Sequence, residues 1–125
     1  MLQLNLNRPG EHLFVRAASA TSVTVVDRVF ERSFLLAADQ AIEDWPARQP
    51  DQIDDAAIAQ VLALKPELVI LGTGPATRFP PPRVQAEFLR RGIGLEVMDN
   101  AAAARTFNVL VSEGRRAVAA FLLPG

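Results

Sequence analysis

Apolar residues fall into two rhythms along this chain: short β-branched runs, and longer segments with one apolar face at helical spacing. The runs dominate the first fifty residues. Ser22-Val23-Thr24-Val25-Val26-Asp27 is short and β-branched, and Val29 to Leu36 follows the Asp27-Arg28 link. Two such runs around a tight polar link predict a hairpin, although the link lacks the Asn-Gly or Asp-Gly pair that favours one. Residues 40–52 are punctuated by Pro46 and Pro50 and hold the one tryptophan, Trp45. This predicts a loop whose indole is pinned onto the body.

The second half changes rhythm. Asp54 and Asp55 suit the orphan amides and positive end of a helix start. Ile58, Val61, Leu62 and Leu64 then form its apolar face, and Lys65-Pro66 stops it. Glu67 to Leu71 reads as a buried strand that stops at Gly72-Thr73-Gly74. Pro80-Pro81-Pro82 stiffens the next loop and opens a helix through about Arg91, with Val84, Phe88 and Leu89 inward. Gly92 ends it, and Ile93 to Met98 reads as another buried strand. Strand, helix and strand in about thirty residues predict a βαβ unit with a parallel crossover. Asp99 or Asn100 caps the next helix, whose buried face is Ala103, Phe107, Leu110 and Val111. Gly114 closes it, and Arg115 to Leu123 is a final strand. The expected fold is α/β: one domain over residues 1–125, with N-terminal antiparallel strands and a C-terminal βαβ-type half around a mixed sheet.

Composition narrows the function classes more than it selects one. Half the residues are hydrophobic and 22% are charged, which fits a packed domain rather than disorder. A net charge of −1 provides no global field for nucleic acid or an anionic membrane. With no cysteine, disulfides, thiolate metal sites and cysteine nucleophiles are excluded. Met1 to Leu13 lacks the basic-then-apolar pattern of a signal peptide, and no apolar stretch approaches the roughly 18 residues of a membrane span. The expectation is a soluble cytoplasmic protein.

The candidate chemistry gathers at one edge. Gly72, Thr73 and Gly74 lie where a strand hands over to a loop, the place where ligands collect in open α/β sheets. Free amides there would bind an anion. The dinucleotide fingerprint would need a further glycine at Thr77, and the phosphate-binding Gly-Lys-Ser/Thr is missing. A tight turn under a packed helix is the competing reading. Arg105, Asn108 and Ser112 share one helical face. Since helical side chains lean toward the N-terminus, Arg105 is expected to reach back toward Asp99 and the strand ends. Gly72, Thr73, Gly74, Arg78, Asp99, Arg105 and Asn108 therefore form the candidate binding rim, with an Asp99–Arg105 ion pair as the alternative. Phe79 is expected to seal the core beside the glycine loop. Arg90-Arg91 and Arg115-Arg116 read as solvated element ends. His12 stands alone, no carboxylates have ligand-like spacing, and no serine sits in a nucleophile elbow. No catalytic residue, metal or cofactor is assigned.

The order of segments resembles a known family. Val25 to Leu36, Trp45, Pro66 to Gly74, Arg78-Phe79, Gly92-Ile93, Glu96-Val97-Met98, Ala103 to Leu110 and Glu113-Gly114-Arg115 carry the resemblance. It is similar, over about residues 12–123, to the domain-of-unknown-function family that includes mitochondrial respiratory complex I assembly factor 3 and small bacterial relatives. The resemblance implies a three-layer α/β fold around a mixed sheet. It implies assembly work rather than catalysis, and Phe107 stands where many members have tyrosine, which removes a hydroxyl. The chain lacks a mitochondrial-type presequence, so the mitochondrial role is not carried over whole. The resulting expectation is a non-catalytic interaction module with a protein partner. A small anionic ligand, bound or transformed in the same crevice, is the alternative, and nucleic acid is not expected. An exposed edge in the N-terminal hairpin would give a second copy a strand to pair with.

Overall fold

A computed structural model describes residues 12–125. The reading of Met1 to Leu13 as lacking a signal peptide rests on residues 1–11, which lie outside the described residues. Three short strands, β1 (Val15–Ala18), β2 (Val23–Val25) and β3 (Arg28–Phe30), form an antiparallel sheet in sequence order. The chain continues through β4 (Arg32–Leu36), β5 (Ala41–Ile42), helix α1 (Asp55–Leu62) and β6 (Leu68–Gly72). It then forms helix α2 (Pro82–Leu89), β7 (Gly94–Met98), helix α3 (Asn100–Ser112) and β8 (Ala117–Pro124). The second sheet has five strands in the order β5-β4-β8-β6-β7. β6 runs parallel to both β7 and β8, whereas β4 is antiparallel to β5 and β8. The sheet is therefore mixed, and β6-α2-β7 is the expected parallel unit.

The alternation along the strands explains the layers. Phe34, Leu36, Ile70, Ala119, Phe121 and Leu123 face α3 and the small sheet, where Val23, Val25, Phe30, Ala103 and Phe107 meet them. Leu35, Val69, Leu71, Val118, Ala120 and Leu122 face the other way, onto Ile58, Val61, Val84, Phe88 and Trp45. Because both faces are covered, β8 reads as one unbroken apolar run. Phe34 joins the two sheets through stacked rings, 4.0 Å from Phe30 and 5.3 Å from Phe121 between centroids. Trp45 is buried, as expected, and its indole N–H donates to the Ala57 carbonyl at 3.0 Å.

Helix boundaries follow local chemistry. The Asp54 carboxylate accepts from Ala57 N–H and the Asp99 carboxylate from Ala102 N–H, each at its helix N-cap. Gly114, at φ 80°, takes the left-handed conformation beyond α3.

Four expectations need correction. The run Val29 to Leu36 is two strands: consecutive exposed residues Glu31 and Arg32 break the alternation, and the chain passes there from the small sheet to the large one. At the irregular step between Arg32 and Phe34, the Ser33 hydroxyl accepts from Leu123 N–H at 2.9 Å and so replaces a ladder bond. The hairpin turn falls at Val26-Asp27 rather than Asp27-Arg28, with Val26 at φ 56°, a strained value for a β-branched residue. The strand at 93–98 is an edge with Glu96 exposed, because β7 ends the sheet and has one neighbour. Leu89 is 58% exposed, since the inward face of so short a helix is filled by Val84 and Phe88.

Candidate functional site

The parallel strands β6 and β8 bring Gly72 opposite Phe121 and set the glycine loop beside the end of β8. Gly72 is required by close packing: a Cβ there would lie 2.6 Å from Asn100 Oδ1 and 3.1 Å from the Phe121 ring. Asn100, buried at the start of α3, ties three segments together. Its Oδ1 accepts from Gly74 N–H at 3.0 Å, and its Nδ2 donates to the carbonyls of Ser19 and Leu122 at 3.1 and 3.3 Å. Thr73 is equally occupied. Its N–H donates to Met98 O at 2.9 Å, while its hydroxyl donates to Ala76 O at 2.6 Å and accepts from Arg78 N–H at 3.0 Å. The amides of Thr73 and Gly74 are thus taken by protein acceptors rather than left free for an anion. The tight-turn reading describes this loop.

The expected rim divides in two. Arg105 is exposed and lies in a shallow groove with Val15–Ala18, Ala101, Ala104 and Asn108, because that face of α3 runs beside β1. Asn108 is held by the backbone of Val15: its Oδ1 accepts from Val15 N–H at 2.8 Å and its Nδ2 donates to Val15 O at 2.9 Å. It thereby pairs the free edge of β1 as a neighbouring strand would. Asp99 caps its own helix, and no ion pair joins it to Arg105 among the described residues. The helix lean that suggested a reach toward the strand ends is overridden by how α3 packs on the small sheet.

Gly74, Thr73 and Arg78 instead share a hollow of about 490 Å³ with Thr21, Arg48 and Gln52, beside Pro124 at the end of β8. Arg48, Gln52 and Thr21 are the residues that sequence reasoning missed, since they come from the loop before α1 and from the β1–β2 turn. Pro50 is the one local trace in the sequence; in the fold, Gln52 Oε1 accepts from the amides of Arg48 and Gln49, at 2.9 and 3.2 Å, fixing a tight turn at Pro50–Gln52. Phe79, expected in the core, is 76% exposed on the Pro75–Pro82 loop. Val84 and Phe88 already fill the core beneath that loop, so its ring has no place there.

Among the described residues, two carboxyl groups are held below their ordinary value, both away from this hollow. Glu67 is held below the ordinary carboxylate value chiefly by the Arg116 backbone N–H, with help from the Arg115 side chain. Glu87 is lowered by hydrogen bonds from Arg91 and then Arg90. Among the described residues, no group of three or more His, Asp and Glu side chains converges as a metal site would require. No helix of the described residues is long and apolar enough to cross a membrane.

Residues 15–122 match the family described as "Protein of unknown function (DUF498/DUF598)". The chain belongs to that family. Proteins of known structure that are similar to this chain carry the same fold. A protein of Xanthomonas campestris solved by NMR is 44% identical, with a TM-score of 0.84 over 96% of this chain and 91% of that one. A crystal structure from Bordetella parapertussis is 32% identical, with a TM-score of 0.82 over 94% of this chain and 100% of that one. Among curated proteins, mouse "NADH dehydrogenase [ubiquinone] 1 alpha subcomplex assembly factor 3" is 32% identical over 115 residues. That alignment takes in 90% of this chain but only 61% of the mouse protein, so the chain spans about three-fifths of that relative's length. Phe107 is fully buried against the sheet, where a ring serves packing.

Proposed function

We propose that this DUF498/DUF598 chain is a non-catalytic interaction module that docks a protein partner through the rim at the carboxyl end of β6. The observation that carries the reading is Phe79, 76% exposed and next to Arg78 on a loop bracketed by Pro75 and Pro80–Pro82. Aromatic and arginine side chains dominate binding energy at protein interfaces, and prolines limit the entropy lost when such a loop is engaged. The similarity to a protein named as an assembly factor supports the same reading. Cytoplasmic residence is part of the proposal, and fractionation of cells carrying the tagged protein tests it.

A photo-crosslinking residue at position 79 should capture one defined partner, while the same residue at the exposed Val109 should not. Phe79→Ser should abolish co-purification of that partner and leave the melting temperature unchanged. Equal capture from positions 79 and 109, or unaltered co-purification of the serine variant, would overturn the reading.

A further inference from the structure

Arginine carries twelve of the thirteen basic positions, so the state of each guanidinium is informative. Most of those described have protein partners. Arg28 pairs with Glu43, Arg32 with Asp44, Arg90 and Arg91 with Glu87, and Arg115 with Glu67. Arg16, Arg83 and Arg116 donate to the carbonyls of Val26, Ile53 and Lys65. Among the described residues, three side chains are left without a hydrogen bond or ion pair: Arg48, Arg78 and Arg105. Two of those three line one hollow, the 490 Å³ depression outside the carboxyl ends of β6 and β8, and no carboxylate lines it with them.

We infer that this hollow is an oxyanion site, which takes a phosphoryl or carboxylate group of a small molecule between Arg48 and Arg78. Two guanidinium forks on separate loops suit a group with several acceptor oxygens, as each offers parallel N–H donors. A concave wall of one sign also concentrates the local potential, even in a chain whose net charge is −1. Polar side chains complete the lining. Thr21, whose hydroxyl lies 3.5 Å from that of Ser19, lines one side, and Gln52, whose oxygen holds the Pro50–Gln52 turn, retains its amide N–H₂ as a donor. The glycine amides play no part, as they are bonded to Met98 and Asn100. The fold supplies the spacing. Thr73 fixes the start of the Arg78 loop, Asn100 ties that loop to the β1–β2 turn, and Gln52 fixes the Arg48 turn. Both arginines therefore stand on anchored backbone while their heads remain available.

The inference goes beyond protein docking and fails separately from it. The test is an amide NMR titration with inorganic phosphate and, in a parallel arm, malonate, at constant ionic strength. The expected result is saturating shifts confined to the amides around Thr21, Arg48, Gly74 and Arg78. Arg48→Gln and Arg78→Gln should each weaken binding about ten-fold or more, the size of a lost charge-assisted hydrogen bond. Arg105→Gln, the third unpartnered arginine, should leave the midpoint unchanged, as should Phe79→Ser. Tighter binding in the phosphate arm would assign a phosphoryl ligand and in the malonate arm a carboxylate. Shifts that rise linearly without saturation, or an Arg105→Gln effect equal to that of Arg48→Gln, would overturn the site. Neither arginine side chain is bonded within the fold, so both variants should retain the native spectrum elsewhere.

Discussion

The two ends of the parallel strands use arginine in opposite ways. At the amino end of β6 and β8, Glu67 accepts from the Arg116 backbone at 2.9 Å and from the Arg115 side chain at 3.3 Å, while Arg116 Nε reaches the Lys65 carbonyl. There the charges close the edge upon itself. At the carboxyl end the closure is done by uncharged groups, Asn100 and Thr73, and the charges of Arg48 and Arg78 are left over. The contrast separates charge that holds a fold from charge that the fold holds out. A residue type alone does not distinguish them; its partners do.

The largest effect on this contrast should come from removing the neutral closure. Asn100→Ala leaves Gly74 N–H and two carbonyls without their partner, at about 1–3 kcal/mol for each group that water does not reach. A loss of roughly 2–4 kcal/mol in denaturant unfolding is expected after partial rehydration. Gly72→Ala drives a methyl against Asn100 and Phe121 and should cost about 1–3 kcal/mol, measured the same way. Stability equal to that of the parent in either variant would mean that the carboxyl edge is not locked as described.

The amino end should reveal itself by pH. Glu67 is held below the ordinary carboxylate value in the folded chain, so its contribution is present above that ordinary value and is lost as pH falls through the lower folded one. Glu67→Gln should therefore flatten the acid side of the stability profile and leave the neutral side nearly level. Smallest of all, Arg48→Gln and Arg78→Gln should alter thermal stability by no more than about 0.5 kcal/mol, as expected for surface changes that break no contact.

How much of this was legible in the sequence depends on how far apart the causes lie. The helix starts at Asp54-Asp55 and Asp99-Asn100, the parallel unit around β6 and the buried Trp45 were readable, since each rests on residues within a turn or on a plain apolar period. The division of Val29–Leu36 left a trace, two polar residues in succession at Glu31-Arg32, but the cause is a partner strand some ninety residues away. The rim was half legible. Strand ends marked Gly72–Gly74 and Arg78, yet Arg48 joins them only through the fold. Arg105 leaves them because Asn108 fastens that face of α3 to Val15. Phe79 misled for a simpler reason: an aromatic beside a core segment is usually drawn in, and here Val84 and Phe88 had filled the space.

The place of β8 has a consequence for the order in which the molecule can be made. This strand stands between β4 and β6, so its residues 117–124 supply the seam that joins the antiparallel half to the parallel half. During synthesis, every earlier element leaves the ribosome before that seam exists, and β4 and β6 each wait with an unpaired side. The nascent chain therefore crosses a long interval in which two apolar strand edges lie open to other chains, closed in a single late step.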